Sequence, residues 1–328
     1  MGKPFVVGID IGGQSTKLGV VDARGNIMVQ TSFDTKDIVE LRVYMDELVK
    51  TLNKLIGDPS VGGKEKVKGI GIGAPNGNYY KGTIECAPNL KWAKDEYGKP
   101  SVVYLKTMVE GAMGIPAVVT NDANAAAQGE MIYGAAKGMK NFIEITLGTG
   151  VGSGIIIDGK VVYGHDGFAG ELGHTTSVRR TGRHCNCGKI GCLETYASAI
   201  GVARTAREML EFNSQRPSLL RNIPADDITS KDVAEAAAKG DALAIDVFSF
   251  TGRLLGEAFA DFVAFSAPEA IILFGGLAQA GELIFNPTVE AMEANLLQIW
   301  KGKVKIIHSE LPGSEAAILG SAALAWEL

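Results

Sequence analysis

The chain has 328 residues, of which 46% are apolar and 21% are charged, and its formal net charge is −5. This length suffices for two domains with substantial cores, and the composition is ordinary for a globular protein. The acidic balance offers no basic surface for nucleic acid, and no apolar run approaches the roughly 20 residues of a membrane-spanning helix. A strand pattern begins at Phe5 without a signal-peptide profile. Together with cysteines that suit a reducing compartment, these features predict a cytoplasmic protein without nucleic-acid or membrane partners.

The N-terminal segment has the pattern of three strands, with a polar, glycine-containing turn after the first. The strand patterns cover residues 5–10, 18–21 and 26–33. Backbone N–H groups at Gly12 and Gly13, with hydroxyls at Ser15 and Thr16, could cradle a phosphate. Asp10, at the end of the first strand, could hold a hydrated Mg²⁺. An ordinary surface hairpin is the alternative. The candidate ligand-binding residues of this turn are Asp10, Gly12, Gly13, Gln14, Ser15, Thr16 and Lys17.

Helix and strand patterns then alternate up to residue 120. They predict a helix over 39–56, a strand over 67–73, a helix beginning near Ser101 and a strand over 115–120. The last strand runs directly into Asn121 and Asp122, ahead of an alanine-rich helix. An aspartate at the carboxyl end of a strand is well placed for a ligand crevice. The alternative is that Asp122 merely caps the helix. Small residues at 123 and 125–127 indicate that something packs closely on the helix start.

A second glycine-rich hairpin follows. A strand over 141–146 leads into a turn that contains Gly148, Thr149 and Gly150, and a return strand reaches residue 162. This order repeats that of residues 5–33. A single glycine-rich turn is a weak signal. Two turns with matched flanking strands indicate two related domains that hold one polyphosphate from both sides.

A cluster of metal-ligand residues comes next along the chain. Three of the four cysteines, Cys185, Cys187 and Cys192, lie within eight residues, and His174 stands eleven residues before the first. Three thiolates and one imidazole complete the tetrahedral set that structural zinc prefers, with no open position for substrate. Buried cysteines beside an unrelated histidine are the alternative, but the C-x-C-x4-C spacing matches no redox C-x-x-C motif. Glu171 and Glu194 flank the cluster, so the metal would position two carboxylates and an imidazole N–H for the hydroxyls of a neutral polyol.

The C-terminal third is predicted to contain mainly helices and two strands. Helix patterns cover 195–212, a segment beginning at Ser230, 242–265 and 314–326, and strand patterns cover 269–274 and 304–308. The first of these strands ends in Gly275 and Gly276. Paired glycines at the end of a strand suit the close approach of the adenosine half of a nucleotide.

These pieces together resemble the ROK family of sugar kinases and repressors, within the actin-like ATPase superfamily, over essentially the whole chain. The resemblance is carried by Asp10-Ile-Gly-Gly13, Gly73-Ala-Pro75, Asn121-Asp-Ala-Asn-Ala-Ala-Ala127, Leu147-Gly-Thr-Gly150, Glu171-Leu-Gly-His174, Cys185-x-Cys187-Gly-x-x-Gly-Cys192-Leu-Glu194 and Gly275-Gly276. It implies an α/β fold of two ribonuclease H-like domains, with a nucleotide and sugar cleft between them and a zinc-binding loop. The implied domain ranges are 1–120, completed by the C-terminal helix 312–328, and 121–311.

The resemblance also implies roles for individual residues. Asp122 would be the general base toward the sugar hydroxyl that attacks the γ-phosphate of ATP. The implied sugar-binding residues are Asn89, Asn121, Asp122, Glu171, His174 and Glu194. The two hairpin turns would hold Mg²⁺ and the phosphates through Asp10, Gly12, Gly13, Gln14, Ser15, Thr16, Lys17, Gly148, Thr149 and Gly150, with Gly275 and Gly276 at the adenosine. Zinc would bind His174, Cys185, Cys187 and Cys192. Gln14 and Asn76 depart from the threonine and glycine usual in the family, which affects the phosphate contact and the sugar pocket respectively.

Three functions follow from these residues. The first is an ATP-dependent hexokinase of the glucokinase type, which transfers phosphate to the 6-hydroxyl of a neutral hexose. The second is a sugar-responsive repressor, although the first strand begins at Phe5, where such repressors carry an added DNA-binding domain. The third is a non-catalytic sugar sensor. The sugar remains open among glucose, mannose, N-acetylmannosamine, fructose and allose, and the donor between ATP and polyphosphate. Relatives commonly form dimers, so a homodimer is expected.

Overall fold

The structure is a computed structural model that describes residues 2–95, 97–313 and 315–328. The chain forms two compact units. Unit 1 contains the described residues up to 139, together with 160–170 and 310–328, and unit 2 contains 140–159 and 171–309. The domain ranges 1–120 and 121–311 stay a prediction. Within the described residues, no helix combines the length and the hydropathy that crossing a membrane requires.

The regular elements alternate along most of the chain. The strands are β1 (Phe5–Ile11), β2 (Ser15–Asp22), β3 (Ile27–Asp34), β4 (Val67–Gly73), β5 (Gly77–Asn78), β6 (Thr83–Glu85), β7 (Val102–Val103), β8 (Ala117–Thr120), β9 (Phe142–Leu147), β10 (Val151–Ile157), β11 (Lys160–Val161), β12 (Ala270–Phe274) and β13 (Lys305–His308). The α-helices are α1 (Leu41–Ile56), α2 (Leu105–Met113), α3 (Asp122–Tyr133), α4 (Glu194–Ala197), α5 (Ala199–Phe212), α6 (Ser230–Ala238), α7 (Ala242–Ser266), α8 (Glu282–Asn295) and α9 (Ala316–Leu324).

The main sheet of unit 1 has the strand order β3-β2-β1-β4-β8. The first three strands form antiparallel hairpins, whereas β4 runs parallel to both β1 and β8. The apolar run of β1 is buried, as a central strand covered on both faces requires. Because β1, β4 and β8 are parallel, their carboxyl ends meet at one edge of the sheet. That edge therefore carries Asp10 from β1 and the Asn121–Asp122 turn that follows β8.

The sheet of unit 2 repeats this plan. Strand β9 pairs antiparallel with β10 and parallel with β12, which in turn pairs parallel with β13. The turn between β9 and β10 therefore lies at the same sheet edge as the end of β12. This pairing brings Gly275 against the turn. A Cβ built on Gly275 would lie only 2.5 Å from the Leu147 carbonyl oxygen. The two glycine-containing segments of unit 2 are thus in direct contact.

Helices α3 and α9 of unit 1 approach each other closely through small residues. A Cβ atom built on Gly129 would lie 2.8 Å from Gly320 Cα, and one built on Gly320 would lie 2.7 Å from the Ala125 carbonyl oxygen. Helix α9 also packs on the sheet, where a Cβ on Gly8 would lie 2.1 Å from the Ile318 carbonyl oxygen. The close packing predicted at the start of the alanine-rich helix is confirmed, and its partner is the C-terminal helix.

Several helix boundaries differ from the predicted ones. Helix α2 begins at Leu105, because the segment before it pairs as β7 instead of continuing the helix toward Ser101. The helix predicted over 195–212 is two helices, since Ser198 has extended backbone angles and caps α5 by accepting a hydrogen bond from Gly201 N. Thr229, and not Ser230, caps α6 in a reciprocal pair with Asp232. Ser314, the predicted start of the last helix, lies outside the described residues.

The glycine contacts of α9 predict a strong effect of one methyl group. Gly71→Ala should lower the free energy of unfolding by about 2–3 kcal/mol, because the new Cβ would lie 1.8 Å from the Ser321 carbonyl oxygen and force backbone to move. Gly111→Ala is the matched control, since no described atom lies within 4 Å of its Cβ position. At this helical position the change should raise the free energy of unfolding by about 0.4–1 kcal/mol. Chemical denaturation measures both, and equal stability of the two variants would contradict the packing argument.

Candidate functional site

In the turn between β1 and β2, two of the groups that were predicted to bind phosphate form hydrogen bonds within the protein instead. Gly12 N donates to Ser15 O at 3.0 Å, which closes the hairpin. The Thr16 hydroxyl is buried and hydrogen-bonds the Tyr44 hydroxyl at 3.1 Å. The expectation that the Gly12 N–H and the Thr16 hydroxyl are free for phosphate is therefore wrong for this conformation. Gly13 and Ser15 are half-buried, and the Gln14 side chain is exposed at the tip.

Gly13 also contacts the segment that carries Asn89. A Cβ atom on Gly13 would lie 2.9 Å from the Asn89 carbonyl oxygen, so a side chain at position 13 would displace this loop. The Asn89 side chain itself is exposed. The structure thus places a predicted sugar-binding residue directly beside the predicted phosphate turn, within unit 1.

Asn76 keeps the backbone shape that a glycine would have. Its φ of 53° lies in the left-handed region, where asparagine is tolerated better than most residues. Its side-chain amide donates to the Glu85 carbonyl oxygen at 2.9 Å. This departure from the family pattern therefore fastens the residue to the neighbouring β6 backbone.

Two carboxylates lie close together at the sheet edge of unit 1. Burial raises the pKa of Asp10 to about 6, with a further increase from the neighbouring Asp122 charge and an opposing effect of Lys17. Lys17 stands directly opposite Asp10 in the β1–β2 register. Carboxylate oxygens at such a position suit a hydrated Mg²⁺, whose positive charge would relieve their repulsion.

Asp122 is not the residue that caps α3. Asn121 holds the N-cap position, and its side-chain oxygen accepts a hydrogen bond from Ala123 N at 2.7 Å. Asp122 is the first residue of the helix and remains accessible to solvent. The protein around its carboxylate nevertheless limits hydration, so burial raises the pKa of Asp122, and the hydrogen bond from Ala123 N opposes this only in part.

The four predicted metal ligands of unit 2 converge on one point. The ligand atoms of His174, Cys185, Cys187 and Cys192 all lie within 4.8 Å of one another. The sulfur atoms of Cys187 and Cys192 are 3.6 Å apart, and Cys185 Sγ is 3.8 Å from His174 Nδ1. A tetrahedron with zinc–sulfur bonds of about 2.3 Å has edges of about 3.8 Å, so the cluster fits zinc. Because Nδ1 is the ring nitrogen beside Cys185 Sγ, a metal ion bound here would use Nδ1 and would leave Nε2 available for another partner.

The loop of residues 174–192, which carries the four candidate ligands and is called the metal loop below, depends on backbone conformations that favour glycine. Gly188 and Gly191 have φ values of 88° and 78°, and a Cβ on Gly191 would lie 1.7 Å from the Val178 carbonyl oxygen. Lys189 also ties the loop together, because its Nζ donates to the His174 carbonyl oxygen at 2.6 Å. Burial raises the pKa of the Cys192 thiol to about 12, so metal binding must displace protons.

Arg183 supports the loop and was not identified by the sequence analysis. Its buried guanidinium donates to the Thr195 carbonyl oxygen at 2.7 Å and to Thr205 Oγ1 at 2.9 Å. It also lies over the Tyr196 ring, 4.4 Å from the centroid. These contacts bind the metal loop to α4 and α5. No local sequence signal distinguishes Arg183 from Arg179 and Arg180 before it.

Glu194 contacts both the metal cluster and the turn after β9. Its Oε2 accepts a hydrogen bond from Val151 N at 3.0 Å, and its Oε1 lies 3.8 Å from Cys185 Sγ. Gly150 faces this carboxylate, since a Cβ there would lie 2.5 Å from Oε2. Glu171 is exposed and precedes the short 3-10 turn Leu172–His174. The sequence indicated neither the Val151 hydrogen bond nor the contact with Gly150.

The raised pKa of Asp10 predicts that the stability difference between the parent protein and Asp10→Asn depends on pH. Because its folded-state pKa is raised to about 6, the stability that Asp10 contributes is complete below its unfolded pKa near 4 and is lost as the pH rises through 6. Asp10→Asn should therefore be more stable than the parent by about 1–2 kcal/mol at pH 7.5 without Mg²⁺, and not at pH 4.

Thermal unfolding at the two pH values measures this difference. Asp22→Asn is the control of opposite sign. Burial alone would raise the pKa of Asp22, but hydrogen bonds from Asn26 and Arg24 lower it overall. That variant should lose stability at pH 7.5, and a stability gain for Asp10→Asn that persisted unchanged at pH 4 would contradict the assignment.

Replacement of a single cysteine sulfur by oxygen should remove zinc from the four-ligand cluster. Cys187→Ser should reduce bound zinc from about one ion per chain to a small fraction, because a hydroxyl replaces one of four required thiolate or imidazole ligands. Cys86→Ser is the control, since Cys86 is an exposed loop thiol outside the cluster. Elemental analysis after gel filtration gives the metal content, and full zinc retention in Cys187→Ser would disprove the four-ligand site.

Known proteins resemble this chain over its whole length. The ROK family model matches residues 6–327. A glucokinase of Streptomyces coelicolor is 35% identical over 328 residues, 98% of each chain. A xylose repressor of Caldicellulosiruptor bescii is 29% identical over 97% of this chain and 77% of its own. The crystal structure of a ROK family glucokinase from Streptomyces griseus in complex with glucose and AMPPNP has a TM-score of 0.77 and 34% identity, covering 99% of this chain and 100% of that one. These matches confirm the predicted α/β fold class, and the chain belongs to the ROK family.

Proposed function

We propose that this protein is an ATP-dependent sugar kinase that phosphorylates the 6-hydroxyl of a neutral hexose, with glucose as the first candidate. The observation that carries the proposal is the carboxylate of Asp122. It follows a parallel strand, leaves the capping of α3 to Asn121, and has a raised pKa beside a second carboxylate. A protein that only sensed sugar would have no need for a base with these properties. The glucokinase relatives support the same activity.

The chemistry assigned to Asp122 is proton removal. As the sugar oxygen forms a bond to the γ-phosphorus of ATP, the bond from that phosphorus to the bridging oxygen breaks and releases ADP. The hydroxyl proton passes to a carboxylate oxygen of Asp122. Burial raises the pKa of Asp122, and a raised pKa makes the carboxylate a stronger base for this proton transfer. Mg²⁺ near Asp10 would offset the phosphate charge when bound.

The sugar would be held by residues whose side chains donate or accept hydrogen bonds with hydroxyls. These are Asn89, Asn121, Glu171, His174 and Glu194. Zinc at the Cys3His cluster would fix the ring of His174 through Nδ1 and so direct Nε2 toward a hydroxyl. Because four protein ligands fill the coordination sphere, the metal would position these groups and would not activate substrate.

The nucleotide would be held mainly through backbone. We assign its phosphates to the first turn, chiefly Gly13 and Ser15, and to Gly148, Thr149 and Gly150 of the second. The adenosine would approach Gly276, where a Cβ atom would meet no described atom within 4 Å, in contrast to the crowded Gly275. We further propose a cytoplasmic location and a homodimer.

The experiment that tests the function is an ADP-release assay with MgATP and a panel of neutral hexoses and N-acetylhexosamines. Rapid turnover with one sugar supports the kinase and identifies the epimer. The repressor relatives make a sugar-binding regulator the second candidate. Sugar binding by calorimetry without ADP release for any sugar of the panel would favour that candidate over the kinase.

Asp122→Asn should separate catalysis from binding. We expect turnover to fall by about 100- to 10,000-fold, the range for loss of a general base, with sugar affinity within about twofold of the parent. Asp226→Asn is the control, because Asp226 is exposed in a surface 3-10 turn of unit 2. Steady-state kinetics and sugar calorimetry measure the two quantities. Near-normal turnover in Asp122→Asn would remove this residue from the mechanism.

A further inference from the structure

One short segment of unit 2 holds the turn after β9 at both of its ends. Val151 N, at the end of the turn, donates to Glu194 Oε2 at 3.0 Å. At the start of the turn, the Gly148 carbonyl oxygen accepts a hydrogen bond of 2.8 Å from Ala199 N, in the first turn of α5. Across the turn itself, Gly148 N donates to the Gly150 carbonyl oxygen at 3.0 Å. The conformation of the turn is therefore determined in large part by residues 194–199.

The same segment begins at the metal cluster. Cys192 is fully buried, and only Leu193 separates it from Glu194. Glu194 Oε1 lies 3.8 Å from the sulfur of a second ligand, Cys185. Leu193 N donates to the Thr175 carbonyl oxygen at 2.9 Å, next to the third ligand, His174. A metal ion that fixes these ligands would therefore also fix the start of the segment that holds the turn.

A cavity borders both the turn after β9 and the metal loop. It has a volume of about 320 Å³ and is lined by Thr149, Gly150, Cys185, Asn186, Glu194 and Ser198, among others. The metal loop and the turn are thus separated by open volume beside Glu194. The carboxylate of Glu194 spans this separation, with one oxygen toward Cys185 and the other bonded to Val151 N. Glu194 is therefore a direct side-chain link between the metal loop and the turn, beside a backbone contact at Gly173, where a Cβ would lie 2.1 Å from the Val151 carbonyl oxygen.

We propose that metal occupancy of the Cys3His cluster and nucleotide binding at the 148–150 turn are thermodynamically coupled through Glu194. The metal raises the affinity of the turn for a nucleoside triphosphate, and Glu194 is the positioning residue that transmits the effect. This inference rests on the proposed function, because it requires that the turn binds phosphates. It assigns the zinc a role toward the nucleotide in addition to its role toward the sugar.

Thermodynamic linkage requires the coupling between metal and nucleotide to be reciprocal. If metal increases nucleotide affinity by some factor, nucleotide must increase metal affinity by the same factor. Ordering two anchors of a short turn corresponds to coupling at the low end of the usual range, about 5- to 10-fold. Loss of the metal should then raise the dissociation constant of the magnesium complex of AMPPNP by that factor.

The test uses the whole protein without sugar, so that the sugar contacts of Glu194 do not contribute. Calorimetry gives the dissociation constant of MgAMPPNP for zinc-loaded and metal-free protein. Equilibrium competition with a colorimetric chelator gives the dissociation constant of zinc with and without saturating MgAMPPNP. We expect weaker nucleotide binding without metal and a zinc dissociation constant that is about fivefold lower with nucleotide. Equal dissociation constants in both comparisons would overturn the coupling.

The variant Glu194→Ala tests the coupling in zinc-loaded protein, so the test does not depend on the metal-free protein staying folded. This variant retains all four metal ligands but loses the hydrogen bond to Val151 N. With zinc bound, it should bind MgAMPPNP about fivefold more weakly, and nucleotide should no longer raise its affinity for zinc. Glu235→Ala is the control, because Glu235 is exposed on α6 and pairs with Lys231 and not with the turn or the metal loop. Parent-like nucleotide affinity and zinc linkage in Glu194→Ala would assign the coupling elsewhere and overturn the role of Glu194.

The outcomes also separate this inference from the proposed function. If zinc-loaded parent protein does not bind MgAMPPNP at all, the assignment of the turn to phosphates fails, and the coupling fails with it. If the parent protein binds MgAMPPNP and phosphorylates a hexose but shows no linkage to zinc, the kinase stands and the coupling alone is wrong.

Discussion

The convergence of three thiols and one imidazole on a single point is the constraint on which the candidate site of unit 2 depends. The loop from His174 to Cys192 has few regular elements, and its conformation includes glycine-only backbone at Gly191. Hydrogen bonds from Arg183 and Lys189 support it, but neither selects the positions of all four ligand atoms. A bound zinc ion would do so, because structural zinc requires its four ligand atoms in a tetrahedron. With the four ligands fixed, Glu171 and Glu194 would lie next to an ordered loop.

A different constraint operates in unit 1, where Asp10 and Asp122 share one sheet edge. Parallel pairing of β1, β4 and β8 places both carboxylates at the carboxyl ends of strands. Burial raises both pKa values, and the charge of Asp122 adds to the increase at Asp10, which disfavours the ionised state in the protein without ligands. Such electrostatic strain is expected where a cation and a reacting hydroxyl are to be bound, because those ligands relieve it. The function proposed for these carboxylates and their cost in stability would then have the same origin.

The placement of Asp122 is also a matter of helix packing. Its helix, α3, lies against α9 at a distance that only glycine at 129 and 320 permits. Helix α9 in turn lies on β1 and β4 through Gly8 and Gly71, where any side chain would collide with helix backbone. The strand that carries Asp10 and the helix that carries Asp122 are therefore both positioned by the same C-terminal helix. Rigid backbone contacts of this kind hold catalytic groups more accurately than long flexible side chains do.

The sequence by itself determined most of the strands and helices, the two glycine turns and the candidate metal ligands, because apolar periodicity and ligand type and spacing are local properties, whereas the fold class followed from the resemblance to the ROK family. It also indicated that small residues at the start of α3 face a close neighbour. Only the tertiary structure decided which groups are in use. It showed that the Thr16 hydroxyl bonds Tyr44, that Asn121 caps α3 in place of Asp122, and that Glu194 reaches Val151. The pKa of Asp122 likewise depends on how deeply the folded chain buries its carboxylate. These properties arise between residues far apart in the chain, where no local pattern records which partner a polar group will find.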